Sequence, residues 1–230
     1  MTDTLSDDRH PDRHSRPVVV GYLDGPAGDA ALAAAATEAR LRNTTVTVMH
    51  QLVGTEVPDR FGPDTARSGS KTAVMYHVLQ TAQDAAPGLA HIDVRVVAKP
   101  IAEELILASK SAELVVLGIT TNHAATAAAF DTVPRAVVRG SHCPVLLVGA
   151  PDWAVARVVC GVDRSPESVR ALHWAADEAA RRGTTVLAVE VLPDHGHSPQ
   201  EAEQSLDNWV QRCVPPSETT VLCATYHGST

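Results

Sequence analysis

Apolar positions along this chain fall in short unbroken runs separated by longer stretches of mixed character. Val18-Val19-Val20-Gly21-Tyr22 is such a run, of the kind a strand buried on both faces requires, and residues 28–42 follow as an alanine-rich helix whose charges, Glu38, Arg40 and Arg42, come late. The alternation continues with a strand over 45–52, a Gly/Pro-containing loop to about residue 70, a helix over 71–86 and a strand over 92–98. A helix over 101–111, a strand over 113–118, a loop to Asp131, a helix over about 132–139 and a strand over 143–148 complete the pattern. Five strands alternating with four helices predict an α/β fold, a doubly wound parallel sheet with right-handed crossovers.

The chain then starts again. Val158-Val159-Cys160-Gly161-Val162-Asp163-Arg164-Ser165-Pro166 lies under Val18-Val19-Val20-Gly21-Tyr22-Leu23-Asp24-Gly25-Pro26, and the match runs ungapped, offset by about 140 residues, to Thr184-Thr185-Val186 under Thr44-Thr45-Val46. This second copy predicts a strand over 157–162, a helix over 166–182, a strand over 185–192, a helix over about 199–213 and a strand over 219–226. It lacks counterparts of the first copy's third helix, fourth strand, following loop, fourth helix and fifth strand. The expected organisation is a polar tail over 1–15 that reads as disordered, a complete domain over 16–149, a linker over 150–153, and an incomplete domain over 154–230 that stops after its third strand.

Hydrophobic residues at 44% and charged residues at 20% are ordinary for a soluble globular protein. The chain has no apolar run long enough for a membrane span, and Met1 to Arg9 contains no basic stretch leading into an apolar segment, so the expectation is a cytoplasmic protein with no membrane partner. A formal net charge of -8 with scattered Lys and Arg argues against nucleic acid as a partner. Cys143, Cys160, Cys213 and Cys223 form no CxxC pair, so neither a disulfide nor a zinc site is expected, and the first two read as buried thiols in strand-like runs. Asp194, His195 and His197 alternate on a Gly/Pro loop with no further ligand nearby, so no metal is expected. His142 and Cys143 are neighbours entering a strand and would point to opposite faces, which disfavours a nucleophile and base pair; Trp174, next to His173 among alanines, reads as a core or interface packing residue.

Two segments carry a resemblance. Cys160-Gly161-Val162-Asp163-Arg164-Ser165-Pro166, continued by Leu172-His173-Trp174-Ala175, opens the second copy, and Ser141-His142-Cys143-Pro144-Val145-Leu146-Leu147-Val148 closes the first. Together they resemble the universal stress protein family, in its tandem form with the second domain truncated, and the resemblance covers nearly everything from Pro17 onward. It implies a Rossmann-like strand order 3-2-1-4-5. In the ATP-binding branch of that family the loop after strand four carries a Gly, two residues, a second Gly, nine residues, then Gly followed by Ser or Thr. The glycines let the backbone approach the phosphates, N–H groups and the hydroxyl donate to them, and an Asp ending strand one recognises the adenosine end.

Carried onto this chain, the nucleotide positions are Gly118, Thr120, Thr121, Asp131, Thr132 and Val133 in the first copy, and Asp163 and Ser165 in the second. The first copy keeps the spacing and loses two of the glycines, to Thr121 and Asp131. Thr121 is β-branched where close approach is needed, and the Asp131 carboxylate would repel a polyphosphate by ~1 to 4 kcal/mol at roughly 4 Å. Leu23 stands where the strand-one Asp belongs, and Asp24, one residue late, should face the other way. Asp131-Thr132-Val133-Pro134 also reads as a helix start, with Asp131 or Thr132 as N-cap. Asn122 and His123 fit either an anion contact or a solvated loop, and Asp163 either adenosine recognition or a surface turn.

The expected function is therefore a stress-response protein, not an enzyme, with no catalytic residue and no cofactor, acting by protein association around a degenerate nucleotide site. The alternative is an ATP-binding module or weak ATPase using the loop after strand four of the first domain. A response-regulator receiver is set aside because Ala98-Lys99-Pro100 follows strand three where a phosphoacceptor Asp is needed. The resemblance implies that the last strand of the first domain, with Cys143, Val145 and Leu147, forms a homodimer interface, alongside an unknown protein partner. Truncation of the second copy should leave its first strand as an exposed edge.

Overall fold

The computed structural model describes residues 16–52, 71–89, 91–119, 132–149, 157–193, 198–214 and 221–228. The chain divides into two compact units between Asp152 and Trp153. In the first, β1 (Val18–Tyr22), α1 (Pro26–Arg42), β2 (Val46–Gln51), α2 (Lys71–Ala85), β3 (Ile92–Val97), α3 (Ile101–Ala108), β4 (Leu114–Gly118), α4 (Thr132–Gly140) and β5 (Val145–Val148) alternate. All pairings are parallel and the sheet order is β3-β2-β1-β4-β5, the doubly wound Rossmann-like arrangement. β1 is central, with Val18 registered between Val46 of β2 and Leu114 of β4.

Why β1 is an unbroken apolar run follows from what covers it. Val18 and Val20 pack on one face with alanines of α1 and with Val74, Val78 and Ala82 of α2. Val19 points to the other face, among Leu105 of α3, Val137 of α4, and Val115 and Leu117 of β4. Ala31, Ala34, Ala35 and Ala39 of α1 are fully buried, and their small side chains let the helix axis sit close to the sheet. Gly118 completes that fit, since a Cβ there would run into the backbone carbonyl of Ala27 in the first turn of α1.

Some boundaries differ from the sequence expectation for local reasons. α1 begins two residues early because Pro26 takes the first helical position, where its missing N–H costs nothing. α3 ends at Ala108, where the Ser109 and Ser111 hydroxyls donate to the carbonyls of Ile106 and Ala108 and compete with the helical ladder. β5 begins at Val145, so Cys143 does not belong to the strand as expected; it lies in the preceding bend, half-buried, with its carbonyl accepting from Ser141 Oγ at 3.0 Å.

The second unit contains β6 (Val158–Val162), α5 (Pro166–Arg182), β7 (Val186–Pro193), α6 (Pro199–Cys213) and β8 (Val221–Gly228), with the parallel order β6-β7-β8. Both helices cover one face: Cys160, Val162, Val186 and Ala188 pack with Leu172, Ala175, Ala176 and Ala179 of α5 and with Leu206 and Val210 of α6. On the opposite face no described element of this unit packs, and Val159 is 62%, Val191 66% and Leu222 43% exposed. Among the described residues β6 pairs with β7 alone. Trp174, expected to pack in the interior or at an interface, lies on the outer side of α5 at 39% exposure.

The repeat extends to buried charge. Glu38 pairs with Arg42 in α1, and Glu178 pairs with Arg182 in α5 at 2.6 Å; both glutamates are buried and one helical turn before their arginine. Among the described residues no helix is long and apolar enough to cross a membrane, and no group of three or more His, Cys, Asp or Glu could hold a metal. The loop carrying Asp194, His195 and His197 lies outside the described residues.

The same sequence position thus sits in opposite environments in the two units, since Val19 is 2% exposed and Val159 is 62% exposed. Val19→Ala is expected to cost about 2 kcal/mol, from lost burial plus a cavity. Val159→Ala should stay within about 0.5 kcal/mol. Urea unfolding of the two variants, followed by far-UV circular dichroism, checks the contrast; equal losses would contradict it.

Candidate functional site

In a doubly wound sheet the loops beyond the strand C-termini part where the strand order reverses, here between β1 and β4. A cavity of about 290 Å³ lies there. Gly21, Tyr22 and Leu23 at the end of β1 line it, with Gln51 from β2, Ile101 and Leu105 from α3, Leu117 and Gly118 from β4, and Val133 and Pro134 from α4. None of these side chains is charged. Gln51 Oε1 accepts the Ile101 N–H at 3.1 Å, tying the end of β2 to the first residue of α3. Leu23, at 71% exposure, is the most exposed large apolar side chain among the described residues that line this cavity.

Asp24 engages α2 instead. Its Oδ1 accepts from the Tyr22 hydroxyl at 2.9 Å and lies 3.5 Å from His77 Nε2. Burial and then the Asp24 carboxylate hold the Tyr22 hydroxyl well above the usual phenol range, so it stays a neutral donor. His50 Nδ1 lies 3.1 Å from the Tyr22 carbonyl oxygen.

Of the first-copy positions singled out in the sequence, Gly118 and Val133 meet at this cavity, and Thr132 is the first residue of α4. Thr120, Thr121, Asn122, His123 and Asp131 lie outside the described residues. Gly118 has a structural duty of its own, the close approach of α1. Sequence reasoning did not single out Gln51, Ile101, Leu105 or Leu117 as site residues. The one available signal was topological: residues ending β1, β2 and β4 converge at a switch point whatever their type.

In the second unit Asp163 and Ser165 cap α5. The Asp163 Oδ1 accepts the Ser165 N–H at 3.0 Å and the Ser168 hydroxyl, and the Asp163 N–H donates to Ser168 Oγ at 2.9 Å. Ser165 is the N-cap, its Oγ accepting the Ser168 N–H at 3.2 Å, with Pro166 next. Hydrogen bonds from Ser165 and Ser168 draw the Asp163 carboxyl down to about 2. A shallow groove of about 540 Å³ runs past Asp163, Ser165 and Ser168 and along Gly161, Val189 and Val191.

Arg164 was not foreseen as a structural residue. Its φ of 64° lies in the left-handed region, whereas in the first copy the matching residue is Asp24 and the positive φ, 125°, falls one residue later at Gly25. Its guanidinium forks onto both oxygens of buried Glu190 at 2.7 Å and reaches Ser205 Oγ at 3.0 Å, which fixes the turn. On β5, Val145 and Leu147 register with Val115 and Leu117 of β4, and both are half-buried. Among the described residues β5 has no second neighbour in the sheet.

The capping role of Asp163 has a pH signature. Its folded value lies below the ordinary 3.8, so its contribution is present above that value and is lost as pH falls toward 2. Asp163→Asn should unfold at lower urea than the parent protein at pH 6, with the gap closing between about pH 4 and pH 2. A gap that stays constant over that range, measured by circular dichroism, would contradict the assignment.

The comparisons with known proteins agree with this fold. The model of the family described as "Universal stress protein family" matches residues 14–149 and 155–208. Universal stress protein Rv2005c of Mycobacterium tuberculosis (strain ATCC 25618 / H37Rv) is 30% identical over 241 aligned residues, covering 91% of this chain and 80% of that protein. Universal stress protein Rv2623 of the same organism is 30% identical over 192 residues, covering 77% of this chain and 64% of that protein. A crystal structure of a universal stress protein from Archaeoglobus fulgidus DSM 4304 shares the fold with a TM-score of 0.68 at 15% identity, covering 94% of this chain and 80% of that chain. Because the family model accounts for most of both copies, and relatives of that name align along nearly the whole sequence, the chain belongs to the universal stress protein family.

Proposed function

We propose that this chain is a cytoplasmic, non-catalytic stress-response protein that acts by protein association and whose nucleotide site is degenerate. One observation carries the reading. The cavity at the end of β1 and β4 offers a polyphosphate no cationic side chain among its described lining residues, and Leu23 occupies the position where the family pattern has an adenosine-binding Asp. Asp24 is committed to Tyr22 and His77 and does not replace it. The Asp163 and Ser165 pair that matches the adenosine side in the second unit is committed to capping α5.

Association is read from β5. A strand with no second neighbour among the described residues and a half-buried apolar flank is suited to pairing across a two-fold axis, and Val145 and Leu147 would sit at that interface, with Cys143 just before the strand. The alternative reading, an ATP-binding module or weak ATPase, is favoured by Gly118 at the exit of β4 and by the start of α4 at Thr132, whose helix N-terminus is suited to an anion.

Two measurements test the proposal. Calorimetric titration with ATP, with and without magnesium, should give no binding at micromolar affinity, while the combined Thr121→Gly and Asp131→Gly variant should gain it; micromolar binding by the parent protein would overturn the site reading. Light scattering coupled to size exclusion should report a dimer at micromolar concentration. The Val145→Lys, Leu147→Lys double variant should elute as a monomer with an unchanged far-UV spectrum. A monomeric parent protein, or a folded double variant that remains dimeric, would overturn the interface.

A further inference from the structure

The face of β6-β7-β8 that carries no helix of its own unit is apolar at every described position. Val159, Leu187 and Leu222 form one row across the three strands, Gly161, Val189 and Ala224 the next, and Val191 follows on β7. The first unit supplies the comparison. By repeat and register, the positions of Leu187, Val191, Leu222 and Ala224 hold Thr47, Gln51, Asp93 and Arg95 there, and Asp93 and Arg95 form an ion pair in solvent. The second sheet is thus apolar even where the first is polar beneath or beside its helices, and a contiguous face of this kind marks an interaction surface. We infer that it binds one basic amphipathic helix of another protein, laid on the sheet as α3 is laid on β1 and β2.

Shape is the first argument. In the first unit a Cβ on Gly21 would meet Leu105 of α3 and Leu117 of β4, so leucine side chains fill that space, whereas a Cβ on Gly161 would meet nothing within 4 Å. The open space over Gly161, beside Val189, takes a leucine presented by a helix from above. Three strands ~4.8 Å apart, rising ~3.3 Å per residue, make a face roughly 14 Å by 20 Å, and a helix with its side chains is ~10 Å across, so one helix covers it.

Charge is the second. At the C-terminal end of β6 the apolar face runs into a groove in which Gly161, Val189 and Val191 are joined by Asp163 and Glu167. The Asp163 carboxylate is held by the neutral Ser165 and Ser168, and Glu167 has an exposed partner, Arg170, whose pairing is worth little in water. Lysine or arginine on the occupant would meet both carboxylates. A second copy of this chain is the poorer fit, because it brings the same acidic rim and the same net charge of -8.

The test titrates the full-length protein with a synthetic helical peptide of leucine and lysine, about 14 residues and ~21 Å long, with leucines at i, i+3, i+4 and i+7 on one face. Amide NMR should show saturation below ~1 mM, with shifts at Val159, Gly161, Val189 and Leu222. A peptide of the same composition with its leucines scattered should bind at least tenfold more weakly, and so should one with glutamate in place of lysine. Gly161→Leu fills the open space from the chain's own side, and Val191→Lys puts a charge on a side chain that is 66% exposed. Each should weaken the peptide at least tenfold with an unchanged far-UV spectrum. Absence of saturation, equal binding of the scattered peptide, or parent-like binding by both folded variants overturns the inference. Shifts at the same four amides that follow protein concentration alone, without peptide, would assign the face to a second copy and overturn it as well.

Discussion

A parallel strand that is apolar on both faces has to be covered on both faces, and the rest of this molecule follows from how far that condition is met. β1 meets it, with α1 and α2 over one side of the sheet and α3 and α4 over the other. β6 repeats nearly the same residues and, among the described residues of its own unit, has helices over one side only. The consequence is visible residue by residue: a Cβ on Gly21 would meet Leu117 and Leu105, whereas a Cβ on Gly161 would meet nothing within 4 Å. Each apolar side chain left in water on that face forgoes burial free energy of roughly 25 cal/mol per Å². The second unit is therefore held by one layer of core, reinforced by the Arg164 fork to Glu190 and by the Ser198 and Glu201 capping box of α6.

Close packing also shapes the site. α1 is rich in alanine because its face must reach the sheet, and the same approach forbids a side chain at Gly118. A glycine that reads as a phosphate-loop residue is thus needed for the fold whether or not a phosphate binds. The same logic applies to Asp163, Ser165 and Pro166. Their order suits nucleotide recognition in the family pattern, and it equally builds a helix start, with Asp163 and Ser168 exchanging hydrogen bonds and Ser165 as N-cap. Once a residue has a duty in the scaffold, its presence alone does not argue for a ligand, and the argument passes to the groups around it. Around the cavity the described side chains are leucine, isoleucine, valine and proline, with Tyr22 and Gln51 as the polar ones.

How much could be read from the sequence follows from these relations. The alternation of strands and helices in both copies was legible, because apolar runs and the offset repeat each leave a local mark; strand order came through the family resemblance, and the one-sided covering of the second sheet was not foreseen. The cavity was legible only in part. Gly118 and Val133 lie 15 positions apart in a motif, whereas Gln51, Ile101 and Leu105 come from elements far along the chain and carry no motif of their own. Cys143 was assigned to β5 because Cys143-Pro144 leads into an apolar run, yet pairing with β4 begins at Val145. Trp174 was read as packing by its size, and helical phase places it outside, between buried Leu172 and Ala175. Arg164 hid its role because a left-handed backbone is written in sequence by glycine, and here a bidentate ion pair substitutes for it.

Hydrogen–deuterium exchange across residues 114–148, at low and high protein concentration and with saturating ATP, tests association against nucleotide binding in one experiment. Protection of the β5 amides should rise with protein concentration, and ATP should leave the exchange of residues 118–133 unchanged. ATP-dependent protection at Gly118 and Val133, with β5 indifferent to concentration, would contradict the account.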